Sequence, residues 1–268
     1  MSVTHHDRLA DNRFADGTFI PRPQPAPPGR MLAAQTKLEL TLLLRNGEQL
    51  LITMFIPITL LIGLTLLPLG DFGGNRGERV DTIVPAVMMV AIMSTAFTGQ
   101  AIAVGFDRRY GALKRLGATP LPRWGIIAGK SAAVVIVVAM QTILLGAIGF
   151  ALGWRPSLVG LLLGAVVIAL GTVTFAAMGL LLGGTLRAEI VLALANILWF
   201  AMAGIGSVIF ADQLNSGVRI AAELVPSGAL AQALEDATAG SINVLCVAIL
   251  AVWALVAGFV ATRTFKFT

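Results

Sequence analysis

Six apolar stretches, 49–69, 83–106, 126–153, 158–185, 190–210 and 241–262, decide what this chain can become. Each is near the roughly 20 residues that an α-helix needs to cross a bilayer. Across all six, Lys130 is the only Asp, Glu, His, Lys or Arg. A charge at mid-bilayer costs about 2.5–3.5 kcal/mol, so the near absence of charge supports insertion in a membrane. Composition agrees: 12% of residues are charged and mean hydropathy is +0.86, whereas soluble domains carry about 25% charged residues. The expected fold is an all-α integral membrane protein with six transmembrane helices.

The flanking segments complete the organisation. Residues 1–30 are polar and end in Pro21, Pro23, Pro25, Pro27 and Pro28, which predicts a disordered cytoplasmic tail. No apolar core follows the tail's charges at signal-peptide spacing. Residues 31–48 repeat Lys37, Thr41 and Arg45 along one stripe, with Glu48 near it and leucines over the remainder. That pattern predicts an interfacial amphipathic helix ahead of the six-helix domain, 49–262, and a short tail, 263–268.

Orientation follows from the basic residues. An inside N-terminus places six Lys/Arg before the first span and six from Arg108 to Lys130 in the cytoplasm, together with Arg187, Arg263 and Lys266. Only Arg76, Arg79, Arg155 and Arg219 then lie outside. The positive-inside rule therefore predicts cytoplasmic N- and C-termini. It also explains the net charge of +5 without a nucleic-acid partner. The excess of Arg over Lys and the abundant Ala and Gly fit a GC-rich bacterial genome, hence a multi-pass protein of the bacterial cytoplasmic membrane.

Chemistry is sparse. Cys246 is the sole cysteine, and His5 and His6, both in the tail, are the only histidines, so no metal cluster or catalytic His is expected. Gly125-Ile-Ile-Ala-Gly129-Lys130-Ser131 is one residue short of a P-loop and no strand precedes it. Its expected role is helix packing, with Lys130 snorkelling to the inner interface. The pairs Gly160/Gly164 and Gly179/Gly183 are spaced for close internal helix packing, and Pro57 predicts a kink in the first span. Trp124 and Trp154 occupy interfacial positions.

Polar groups inside the spans are the pathway candidates: Ser94, Thr95, Thr98 and Gln100 in the second, Gln141 and Thr142 in the third, and Asn196 beside Trp199 in the fifth. An amide in hydrocarbon needs a partner, which is a neighbouring helix or a substrate. The external segment 211–240 contains a helix over Val218–Val225, a break at Pro226 and a second helix, Gly228–Glu235, capped by Ser227. It is either a solvated loop or a re-entrant element covered by protein.

The segment 107–124, DRRYGALKRLGATPLPRW, stands apart. Asp107, Arg108 and Arg109 lead into a helix-like middle, Tyr110–Leu116, and prolines end it. It is either a basic loop touching lipid headgroups or a dock for a soluble partner. Here the chain resembles the permease subunits of ATP-binding-cassette type 2 exporters. The resemblance rests on Asp107-Arg108-Arg109, Gly111-Ala112-Leu113, Lys114-Arg115-Leu116, Thr119-Pro120 and Arg123-Trp124, with Arg45-Asn46, Pro57 and the 226–235 stretch in support. Tyr110 and Ala112 depart from the family's usual glutamate and threonine.

The resemblance implies a coupling helix formed by Asp107, Arg108, Arg109, Tyr110, Gly111, Leu113, Lys114, Arg115, Thr119 and Pro120. It also implies an external re-entrant element and a working unit of two permeases with two separate ATPases. ATP and magnesium would then bind the partner ATPase, and this chain would not be an enzyme. The expected pathway residues are Ser94, Thr95, Gln100, Asn196 and Trp199, carrying an amphipathic drug, lipid or lipid-linked molecule. An ion-coupled secondary transporter lacks the buried ionisable groups it needs here, and the scattered acids Asp107 and Glu189 do not make a lipid-modifying enzyme.

Overall fold

The computed structural model describes residues 26–67, 76–119, 121–210 and 215–265. The regular elements among them are all helices. They are α1 (Pro28–Arg45), α2 (Gly47–Leu66), α3 (Arg76–Ile92), a π-helix (Met93–Gly99), α4 (Gln100–Arg109), α5 (Ala112–Gly117) and α6 (Arg123–Leu152). After them come α7 (Leu158–Thr185), α8 (Ala188–Ser207) with a 3₁₀ turn (Val208–Phe210), α9 (Ser216–Glu223), α10 (Pro226–Thr238) and α11 (Val244–Thr264).

Among the described residues, five helices are long and apolar enough to cross a membrane: Gly77–Arg109, Trp124–Leu152, Leu158–Thr185, Ala188–Phe210 and Val244–Thr264. The first expected span corresponds to α2, whose apolar described part, Thr53–Leu66, is shorter. Outward-facing side chains suit hydrocarbon: Leu255, Ile143 and Phe200 are 73%, 72% and 69% exposed. In water such apolar surface drives association; in lipid it is solvated.

Several boundaries differ from expectation. The expected tail, 1–30, falls largely outside the described residues, but α1 already begins at Pro28, where a first-turn proline gives up no helical hydrogen bond. The second span runs on to Arg109, because arginines in a last turn interact well with the exposed carbonyls there. Gly111 therefore follows a helix end, at φ 71°, and precedes α5 rather than lying inside it. In the segment expected to be external, α10 starts at Pro226, and the hydroxyl of Ser227 is buried with no hydrogen-bond partner among the described residues instead of capping a helix. A solvated loop does not describe α10, which is buried over Pro226–Leu234 against α3, α7, α8 and α11.

Helix α7 is the axis of the bundle, contacting α4, α6, α10, α11 and the π-helix. Its glycines make this possible. A Cβ on Gly179 would sit 2.7 Å from the Phe97 carbonyl oxygen and 3.0 Å from that of Ala96. One on Gly160 would sit 2.6 Å from the Thr238 carbonyl oxygen. Backbone cannot move aside as a side chain can, so these positions set how closely α7 meets its neighbours, as the spacing predicted.

Replacing Gly179 by Ala should lower stability by about 1–3 kcal/mol through overpacking, despite alanine's better helix propensity. Gly258→Ala is the control, since no atom lies within 4 Å of its Cβ position, and it should leave stability equal or higher. Cys246, buried and the only cysteine, is the reporter for thermal unfolding in detergent with a thiol-reactive dye.

Candidate functional site: the α5 platform and its buried ionic lock

The short helix α5 hangs below the ends of the long helices, and one side chain bolts it there. Leu113 is fully buried in a cluster with Val104 of α4, Ile126 of α6 and Leu180 of α7, flanked by Leu116, Leu121, Ile127 and Phe265. Leu113 thus fixes the loop rather than offering a surface contact. Gly111 provides the turn that aims it. Its left-handed backbone disfavours any residue with a Cβ by about 1–2 kcal/mol.

The three charges that precede this turn are each tied down. The Arg108 guanidinium donates to the carbonyl oxygens of Gly183 (3.1 Å) and Leu186 (2.9 Å), occupying the unsatisfied carbonyls at the end of α7. Arg109 pairs with Glu189 at 2.6 Å on the surface and lies over the Phe106 and Tyr110 rings. Asp107 accepts from Lys130 at 2.6 Å.

Lys130 corrects the expectation of snorkelling. It is 5% exposed, and its ammonium also donates to Glu39 of α1 at 2.8 Å. Glu39 in turn accepts from Gln35 at 2.7 Å. Snorkelling loses because two carboxylates reach the ammonium inside the protein. An isolated buried cation is costly, and paired, hydrogen-bonded charge is tolerated. Gly129 admits α1 to this contact, since a Cβ there would collide with the Gln35 side chain. The stripe of Lys37, Thr41 and Arg45 is exposed, while Gln35 and Glu39, one turn apart, face α6. The sequence did hold a signal for Glu39. A lone lysine in an apolar span demands an acid, and Glu39 is an acid in an otherwise basic helix.

What remains outward is Tyr110, Lys114, Arg115 and Thr119, all exposed, with an Arg115 Nη donating to the Tyr110 carbonyl at 3.4 Å. Pro120 lies outside the described residues. The surface is therefore a small basic face with an aromatic edge, held on a rigid underside.

The five pathway candidates do not converge on one point. Thr95 donates to Gln141 of α6 at 2.9 Å, and Gln141 donates to the Thr53 carbonyl of α2 at 2.6 Å, so these groups bond helix to helix. Ser94 is half-buried in the π-helix, a form often found at functional sites. Gln100 is buried, its Cβ lying 3.2 Å from where a Cβ on Gly179 would sit, and its Nε2 has no hydrogen-bond partner among the described residues. Asn196 is exposed on α8 and donates to the Leu192 carbonyl of its own helix at 2.7 Å. Half-buried Trp199 meets Phe200 edge-on at 4.9 Å, and its indole N–H has no partner among the described residues.

Substituting Lys130 by Met should destabilise the protein by about 3–5 kcal/mol, because Glu39 and Asp107 then face each other without a cation. Combining Glu39→Gln, Asp107→Asn and Lys130→Met should recover most of that loss. Thermal unfolding of the single and triple variants decides it, and additive losses would mean that the three groups are not one unit.

Among protein families, the sequence pattern described as ABC-2 family transporter protein matches residues 74–262, from the start of α3 to near the end of α11. No curated protein matches the chain. The match covers well over half of the 268 residues, so the chain belongs to the ABC-2 family of transporter proteins, as a membrane permease subunit.

Proposed function

We propose that this chain is the membrane permease of an ATP-driven exporter, docking separate cytoplasmic ATPase subunits through the outward face of α5. The carrying observation is the division of labour in residues 107–119. Leu113, Asp107 and Arg108 are spent on fixing the loop, which leaves Tyr110, Lys114, Arg115 and Thr119 outward. Such a face, rigid below and basic above, suits an acidic groove on a partner that moves when it binds and hydrolyses ATP. ATP and magnesium belong to that partner in this reading.

Two permease copies and two ATPases make the working unit, with α2 as the sixth span and both termini in the cytoplasm. The positive-inside distribution supports that orientation. Exposed apolar faces on α8 and α11 leave surface for lipid and for a second copy. Asn196 on the exposed face of α8, with Gln100 and Trp199 carrying polar atoms that have no partner among the described residues, supports a pathway for an amphipathic or hydrophobic substrate. Thr95 serves helix bonding within the permease and Ser94 borders the π-helix.

One observation favours the secondary-transporter alternative, namely that Glu39, Lys130 and Asp107 form a buried ionisable cluster. Lys130 lies about 9 Å in from Trp124, at one end of the span, and its ammonium already bonds both carboxylates. That placement suits a structural lock better than a proton carrier at mid-membrane.

In vesicles holding both subunits, export should need hydrolysable ATP and survive collapse of the proton gradient. Reversing Lys114 and Arg115 together to Glu should weaken ATPase binding and export by about tenfold or more, since like charges across an interface repel. Export that persists without ATP, or stops when the gradient alone is removed, overturns the exporter reading.

A further inference from the structure

At the end of the bundle away from α5, α6 hands over to α7 through Trp154–Ser157, and two concavities meet there. The larger is a cleft of about 550 Å³ between α6 and α7, floored by Met88 of α3 and Leu234 of α10. Its walls are made of small residues, among them Gly146, Ala147, Gly164 and Ala165, which leave room where bulkier side chains would close it. The hydroxyls that reach it are already satisfied within their own helices. Thr142 donates to the Val138 carbonyl, Thr172 to that of Ile168, and Thr238 to that of Leu234. The cleft is therefore dry and apolar, open along the side of two membrane-spanning helices. Exposed Ile143 and Phe150 stand at its margin. A groove of this kind in hydrocarbon is filled by chain rather than left void, because its lining would otherwise lose its dispersion contacts.

The second concavity, about 420 Å³, shares Trp154 and Thr238 with the first and is polar. Asp81 of α3, Glu235 of α10 and Arg155 line it. Arg155 donates to the Trp154 carbonyl at 2.8 Å, and neither it nor Asp81 has an oppositely charged partner among the described residues. Glu235 has Arg219 at 3.9 Å. The chamber thus offers a carboxylate, Asp81, for a cation and a guanidinium, Arg155, for a phosphate, and with Arg219 beside Glu235 its acids and bases balance. That balance disfavours an anionic headgroup and suits one carrying both charges. A primary ammonium donates three hydrogen bonds to such acids, whereas a quaternary one donates none.

We propose that the cleft and the chamber together form a binding site for one zwitterionic aminophospholipid, with an acyl chain between α6 and α7 and its headgroup between Asp81, Glu235 and Arg155. The site rests on the membrane-spanning reading of α3, α6 and α7, and it needs neither ATP nor the partner subunits.

The test uses the full-length protein alone, in nanodiscs, with phosphatidylethanolamine carrying a photoactivatable group in mid-chain. Phosphatidylcholine and phosphatidylglycerol probes with the same chain run in parallel. Labelling should concentrate on peptides from 139–172, with the ethanolamine probe ahead of both others. Ala147→Trp, which fills the cleft, should cut that labelling about tenfold. Asp81→Asn, an exposed position, should erase the preference for ethanolamine while leaving chain labelling in place. Unfolding followed through Cys246 confirms that each variant is folded. Equal labelling by the three probes, or labelling spread evenly over all lipid-facing helices, overturns the proposal. Because ATP is absent throughout, failure here leaves the exporter reading standing, and failure of ATP-driven export leaves this site standing.

Discussion

Lys130 sits between Glu39 and Asp107, and through it three separate parts of the chain meet: the N-terminal helix α1, the start of α6, and the last turn of α4. Taking charge into a low-dielectric interior is costly, and the attraction recovers that cost only when geometry and hydrogen bonds are good. Here the ammonium donates at 2.8 and 2.6 Å and Glu39 accepts a further bond from Gln35. Such a lock is weak evidence for stability against an apolar replacement, but losing Lys130 leaves two carboxylates facing each other without their cation. Its consequence is positional. With Asp107 held, the turn at Gly111 begins from a fixed point, and α5 lies in one orientation.

From that point the fold transmits position upward by contact. Leu113 plugs into a cluster to which α4, α6 and α7 all contribute, and Arg108 fastens the end of α4 to the last carbonyls of α7. Helix α7 then carries the connection along the bundle with glycines that let backbone lie against backbone at Phe97, Ala101 and Thr238. Packed atoms therefore connect α5 to α7, and α7 in turn to the π-helix beside Gly179 and to α10 beside Gly160. The π-helix, bonded sideways by Thr95 to Gln141, is where that chain of contacts passes the polar groups of the second span.

Much of this was legible in the sequence because hydrocarbon imposes a strict code. Apolar runs without charge marked the spans, and Leu158–Thr185 was located to the residue. Glycine spacing on α7 reported close packing for the same reason. Polar contacts were less legible, since they depend on which helices become neighbours. A lone Lys130 in an apolar span implies an acid, but local pattern alone does not show that Glu39 reaches it across 91 residues. Asp107–Arg109 lie just past the expected second span, 83–106, and the helix runs on through them, with both arginines in its last turn. Ser227 fits the rule for a cap, yet Pro226 takes the first helical position after Val225, and the Ser227 hydroxyl is buried with no hydrogen-bond partner among the described residues. The expected pathway residues stand out in the sequence as polar or aromatic groups in apolar spans. Polarity cannot tell Thr95, which serves a neighbouring helix, from Gln100, whose amide nitrogen has no partner among the described residues.

The most direct test of the docking claim is proximity in the assembled complex. Cys246 is buried, so a cysteine introduced at Lys114 is the only one on this chain's surface. Membranes containing the co-produced ATPase are treated with a short bifunctional thiol reagent, with cysteines placed in turn along the ATPase's membrane-facing surface. The account predicts a cross-link from position 114 to one patch of that surface, and none from a cysteine placed at Ile242 near the opposite end of the bundle. No cross-link from 114 while the two subunits still co-purify contradicts it.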